Sequence, residues 1–331
     1  MTERARTAGR LVLPAVTVAA AAGVLLGIAV TAAEPIAGLP DAGAGVRIGL
    51  PLARVLLDLA AVATVGLCLL PMLVGFDRPR SAEPVLAAAR RAAVATSLLW
   101  AVAALVALVL QTAELRASGA VSPAAVAEYV STVGAGKALV FVAGFALVSA
   151  VLCGLAVRKG EAVPAELRAA VALFALLPLP VTGHASGWRW HDVTMISMEL
   201  HVMAAAAWTG GLGAVVVLLA ANRTLLAVAL PRFSRLATVC VLVVGVSGVV
   251  NGAIELAPDF AVFAGGYGVV LLLKLGCLVA LGALGAHIRF RLLPGIAAHR
   301  RTPLVTWAAV ELGVMGLAFG LAVVLTRVPA A

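Results

Sequence analysis

Residues 137–157 read Lys-Ala-Leu-Val-Phe-Val-Ala-Gly-Phe-Ala-Leu-Val-Ser-Ala-Val-Leu-Cys-Gly-Leu-Ala-Val, with a single charge, at the first position. A helix facing water carries a polar stripe every third or fourth residue. This stretch has no charged face at all. At a rise of ~1.5 Å per residue it is long enough to cross the ~30 Å hydrocarbon core of a bilayer. On either side of it, eight more apolar runs qualify: 11–33, 52–75, 92–112, 167–183, 195–221, 236–257, 268–288 and 304–326. The fold class predicted is all-α, a polytopic membrane bundle of about nine transmembrane helices. Pro178 and Pro180 predict a kinked end for the fifth and shortest run.

Composition agrees. Of 331 residues, 63% are hydrophobic and 12% charged, where a soluble domain carries about 25% charged residues. A soluble enzyme, a disordered chain and a nucleic-acid binder are thereby excluded. The net charge of +9 is gathered in short clusters between the runs. With the N-terminus placed in the cytoplasm, the inner segments hold seventeen basic residues and the outer segments six. That asymmetry is the positive-inside signature, and it predicts the cytoplasmic membrane with the C-terminus outside. Arg4, Arg6 and Arg10 precede a first run too long for a signal-peptide core, which is therefore expected to stay as an anchor. We divide the bundle into helices 1–4 (residues 1–165) and helices 5–9 (residues 166–331).

Cys68, Cys153, Cys240 and Cys277 each lie alone in an apolar run and are expected to be small packing residues. The pairs Gly23/Gly27, Gly248/Gly252 and Gly316/Gly320 have the small-xxx-small spacing that lets helices approach closely, and are expected to tighten the bundle within one chain.

The informative residues are those that lipid disfavours. An ionisable group inside a span normally faces the bundle interior and has a partner or a task. Counted along their helices, Asp58, His201, Asn251 and Lys274 all fall ~9 Å below the outer surface. Glu199 is slightly shallower, and Glu255 is one turn above Asn251. A polar pocket open to the outside is expected, beneath a loop bearing His184 and His191. The densest stretch is His184-Ala-Ser-Gly-Trp-Arg-Trp-His191 followed by Met195-Ile-Ser-Met198-Glu199-Leu-His201-Val-Met203. At 100° per residue, Met198, His201 and Trp208 share one helix face, Glu199 and Met203 share another, and Met195 lies between. A helix beginning at His191 would add that residue above Met198. Thioether sulfur together with imidazole selects copper, above all copper(I), over magnesium or calcium. Zinc would call for thiolates or more carboxylates. The expected metal set is His184, His191, Met198 and His201, beside a polar layer of Asp58, Met195, Glu199, Met203, Trp208, Asn251, Glu255 and Lys274.

Three stretches of the second half resemble the CopD (copper resistance protein D) family of inner-membrane proteins. His201-Val-Met-Ala-Ala-Ala-Ala-Trp208-Thr-Gly210-Gly211 looks like that family's His-to-Trp-x-Gly-Gly helix. Arg232-Phe233-Ser234-Arg235 followed by Ser247-Gly248-Val-Val-Asn251 looks like its Arg-Phe-Ser opening and Ser-Gly-x-x-Asn turn. Tyr267-Gly-Val-Val-Leu-Leu-Leu-Lys274-Leu, running on to Leu292-Leu293-Pro294, is similar to its third helix, and Glu311 fits its last. The resemblance covers residues 182–327. It implies copper homeostasis or transport across the cytoplasmic membrane, with copper delivered by a separate outer carrier protein, and no enzymatic activity.

Two other functions remain open from the sequence. A b-type haem carrier would use His184 and His201 as axial ligands from two helices. An assembly partner of a respiratory complex would use the polar layer for packing alone. No HExxH, GxSxG or P-loop pattern points to hydrolysis or an ATP-driven pump.

Overall fold

The computed structural model describes residues 3–31, 43–75, 80–116, 121–183, 190–256, 265–292 and 304–327. These residues form helices α1 (Glu3–Thr31), α2 (Ala44–Val74), α3 (Glu83–Glu114), α4 (Pro123–Thr132), α5 (Gly134–Lys159), α6 (Ala165–Phe174), α7 (His191–Ala214), α8 (Arg223–Leu256), α9 (Gly266–His287) and α10 (Leu304–Leu325). Among the described residues nine spans are long and apolar enough to cross a membrane, one for each predicted run. Their lipid face is visible on α8. There Val239, Leu242, Val246 and Val249 recur at helical spacing and are 60%, 63%, 64% and 72% exposed, a stripe that water would not tolerate.

The fifth span behaves as its prolines demand. α6 ends at Phe174, and the chain continues through turns into a 3-10 segment, Leu179–Thr182, where each proline withholds one backbone donor. α4 was not expected; Ser122 caps it by accepting from the Ala125 amide at 3.2 Å, with Pro123 at its first position.

α2 is the central helix, packing most extensively on α3 and α7 and also on α6 and α8. α5 lies against α3, while α1, α9 and α10 form a flanking group. Glycine sets two of these crossings. A Cβ on Gly66 of α2 would run into the Gly210 carbonyl of α7, and one on Gly210 into the Val62 carbonyl. Between α1 and α10, a Cβ on Gly23 would meet the Leu317 carbonyl at 2.5 Å and one on Gly316 the Val16 carbonyl at 2.6 Å. Gly23/Gly27 and Gly316/Gly320 therefore tighten the bundle within one chain, as expected. Gly248/Gly252 do not: Gly252 faces open space, and the nearest atom to a Cβ on Gly248 is Cε1 of His201 at 3.9 Å.

One end of the bundle is basic, holding Arg90, Arg91, Arg158, Lys159, Arg168, Arg223, Arg232 and Arg289. Two devices fasten it. Arg232 donates to the carbonyls of Leu73 and Val74, at 3.3 and 3.0 Å, and so caps α2 where Gly75 turns away at φ 95°. Glu161 bridges Arg90 at 3.1 Å and Arg168 at 3.0 Å, and Arg90 also pairs with Glu83. Arg90 and Arg168 are 4% and 1% exposed, so these charges are held away from water. Removing one partner of such a buried pair costs about 3–5 kcal/mol. Glu161→Gln is expected to lower the melting temperature of the purified protein markedly; Glu166→Gln, an exposed neighbour on α6, should not.

The cysteines are not all isolated. Cys68 of α2 and Cys153 of α5, both fully buried, bring their sulfurs to 3.8 Å. All four cysteines are free and buried.

Candidate functional site

α7 begins at His191, directly after Trp190, which takes a left-handed turn (φ 58°) and is 72% exposed. His191 thus stands on the same helix as Met198 and His201, but it is exposed and two turns away from Met198, ~10 Å along the axis. Met198 and His201 are three residues apart, one turn, and both are half-buried toward α8.

α7 and α8 run antiparallel, so positions rising on one meet positions falling on the other. His201 meets Ser247, and Met198 meets Asn251. The His201 Nδ1 lies 2.9 Å from Ser247 Oγ. That hydroxyl donates its proton to the Val243 carbonyl at 2.5 Å, with Val244 at 3.3 Å. Ser247 is therefore left to accept, which assigns the imidazole proton to Nδ1 and leaves Nε2 as the nitrogen that carries a lone pair. A metal-binding histidine is commonly oriented in this way, with one ring nitrogen tied down by a partner and the other open. Asn251 Nδ2 lies 3.4 Å from the Met198 sulfur and donates to it, while Asn251 Oδ1 is buried with no hydrogen-bond partner. A buried acceptor left unpaired costs about 1–3 kcal/mol. The site thus offers an imidazole nitrogen, a thioether sulfur and an amide oxygen, all of them neutral.

The other predicted residues are placed as follows. Lys274 on α9 is the charged side chain whose field reaches His201, and among the described residues no carboxylate lies within salt-bridge distance of it. Asp58 has a different set of neighbours. Its charged companion is Arg54, one turn back on α2, which donates to Thr182 Oγ1 at 2.5 Å. Arg54 and Thr182 line a cavity of about 330 Å³ with Gln111 and the Glu114–Arg327 ion pair, at the end of the bundle opposite the basic one. Met195 is buried, Met203 packs on the main apolar core, and Glu199 is half-buried. Trp208 is buried, with Glu311 of α10 as its hydrogen-bonding partner. His184, and with it the proposed haem pair, lies outside the described residues, as does the side chain of Glu255. Among the described residues no group of three or more His, Cys, Asp or Glu side chains forms a metal cluster.

Sequence reasoning did not place Ser247 in the site. The signal was present: Ser247 and Asn251 are one turn apart on α8, matching the one-turn spacing of His201 and Met198. Ser247→Ala removes the group that orients the imidazole. We expect a roughly 10–100-fold loss of metal affinity, the usual effect of losing such a partner, with little change in stability.

Comparison with known proteins bears on the chain as a whole. "Copper resistance protein D" matches residues 227–325, and "Copper resistance protein D-like, N-terminal domain" matches residues 44–192. The two matches leave residues 193–226, nearly all of α7 among them, between them and together take in most of the chain. The chain belongs to the copper resistance protein D family. Both halves of this CopD-family protein carry the signature, and the N-terminal match runs past residue 165 through α6 to the start of α7. A 116-residue stretch is 34% identical to the copper transport protein CutJ of Bacillus subtilis (strain 168), covering 34% of this chain. The chain spans 21% of that relative's length. No solved structure matches it.

The stretches that carry the resemblance divide by task, and the first of them, His201 to Gly211, lies between the two matched segments. Gly210 makes the α2–α7 crossing, Gly211 would meet the ring of Phe233 at 3.1 Å if it carried a Cβ, and Arg232 caps α2. His201, Ser247 and Asn251 come from two different motifs and meet at one place.

Proposed function

We propose that this CopD-family protein is a copper transporter or copper-homeostasis protein of the cytoplasmic membrane and not an enzyme. Its N-terminus and basic end lie in the cytoplasm, and copper is taken from the outer side. The observation that carries this reading is the α7–α8 contact. There the ring of His201 is tied to Ser247 through Nδ1, one turn from the Met198 sulfur. Imidazole and thioether suit copper(I), and the membership of a copper resistance family supports the same ion.

In this reading a separate outer carrier delivers copper to His184 and to His191, the first residue of α7, and the ion passes to Met198 and His201. Asn251 supplies an oxygen with no other partner. Because the donors are neutral, the bound ion keeps its charge. Lys274 then acts as a positive gate that disfavours a resting cation and helps release it. Glu199 and Glu255 are the acidic members of the outer layer that offset it.

The test is the copper content of cells. Cells expressing the wild-type chain should accumulate copper above cells carrying the empty vector, and cells expressing Met198→Leu should fall most of the way back with the same amount of protein in the membrane. Equal copper in wild-type and empty-vector cells would overturn the uptake reading.

A further inference from the structure

A second soft-metal site is built where the site described above does not reach. Cys68 and Cys153 come from different helices, α2 and α5, and their sulfurs stand 3.8 Å apart with both residues fully buried. Each lies six residues before its helix reaches the basic end, Cys68 before Val74 and Cys153 before Lys159, so both sit at one depth, ~9 Å in from that end. The pair is not part of the His201 site. Gly66, which touches α7, is two residues from Cys68 and so points ~200° away around α2. The thiols face the opposite side of the helix.

Three features mark the pair as more than packing. A metal–thiolate bond is about 2.3 Å, so two sulfurs up to roughly 4.6 Å apart can hold one ion between them, and 3.8 Å lies within that reach. One turn further into the membrane on α5, the Ser149 hydroxyl is 1% exposed and has no hydrogen-bond partner, a polar group kept in the seam without a structural bond. On the other side, Arg168 is buried at 1% exposure and close enough for its charge to act on both sulfurs. Its guanidinium pairs with Glu161 at 3.0 Å and still lends positive potential to the sulfurs, which favours an anionic complex there.

We propose that Cys68 and Cys153 form a two-thiolate site for a soft monovalent metal ion, copper(I), near the basic end of the bundle. The choice of copper rests on the proposed function above; the existence of a soft-metal site does not. On binding, both S–H bonds break, two sulfur–copper bonds form, and two protons leave to solvent. The oxidation states do not change. The complex carries one negative charge, which Arg168 faces. Two thiolates in this arrangement favour copper(I) over zinc, which asks for four ligands.

The test uses the full-length protein, purified in detergent with reductant and without oxygen, and titrated with copper(I) against a chromophoric copper(I) chelator. Wild type should bind one more equivalent than Cys68→Ser/Cys153→Ser, with the absorption of copper(I)-thiolate and a release of two protons for that equivalent. Cys68→Ala/Cys153→Ala provides a second variant should serine unsettle the apolar seam. His201→Ala should keep the thiolate absorption in full. Loss of that absorption in the cysteine variants but not in His201→Ala establishes the site even if His201 proves unrelated to copper. Equal stoichiometry and equal absorption in wild type and a folded double variant would overturn it.

Discussion

Gly210→Val should leave almost no folded protein in the membrane. A Cβ at this position would press into the Val62 carbonyl and stand 2.9 Å from the Gly66 backbone nitrogen. Neither is the end of a flexible side chain; both belong to the α2 backbone, which is locked by its own helical hydrogen bonds. Relief therefore requires α7 to lift away from α2, the helix on which α3, α6 and α8 also pack. In lipid, helices are held together by close packing and hydrogen bonds, because the surrounding chains are as apolar as leucine. A lost crossing is thus not replaced by hydrophobic burial. Overpacking costs typically about 1–3 kcal/mol where neighbours can yield, and here they cannot. Gly213→Val is the control, since a Cβ there meets nothing within 4 Å. Its yield and melting temperature should match wild type, while a Gly210→Val protein that melts with wild type would refute the α2–α7 crossing.

His201→Ala should have the opposite profile, a small effect on folding and a large one on copper. The Ser247 hydroxyl keeps its bond to the Val243 carbonyl whether or not the imidazole is present, so no buried donor is orphaned by the change. The metal loses a nitrogen donor outright. We expect affinity for copper(I) at the α7–α8 site to fall more than 100-fold, beyond the roughly 10–100-fold that follows loss of an orienting partner. Met198→Leu keeps nearly the same volume and should cost less than about 1.5 kcal/mol of stability. It exchanges sulfur for carbon, so its copper loss reports the thioether alone. If His201→Ala and Met198→Leu weakened copper equally with Met203→Leu, whose sulfur packs on the apolar core, the site would be misplaced.

Much of this was legible in the sequence, for physical reasons. Nine spans were readable because lipid leaves only one way to satisfy a backbone, and the length of the bilayer sets the length of the run. The kink after Phe174 was readable because proline lacks an amide proton. The face shared by Met198 and His201 follows from helix geometry alone. What was not legible is whatever depends on which helices touch. Gly210 and Gly66 lie in different spans, and nothing in either span says that they meet. The partnership of His201 with Ser247 needs the antiparallel register of α7 on α8. Cys68 and Cys153, 85 residues apart, look isolated in sequence and become a pair only through packing around α3. Depth alone does not name neighbours: Asp58 is counted at the level of His201, and its charged companion is Arg54, one turn back on α2. Depth is one coordinate, and a helix bundle also has an azimuth.

The central claim is that His201 and Met198 hold one copper ion between them. X-ray absorption at the copper edge tests it most directly, on copper(I)-loaded Cys68→Ala/Cys153→Ala protein, where the α7–α8 site supplies the signal. The account predicts imidazole scattering together with a sulfur neighbour, with the imidazole signal lost in His201→Ala and the sulfur lost in Met198→Leu. A copper shell with no sulfur, or one unchanged by either substitution, would contradict it.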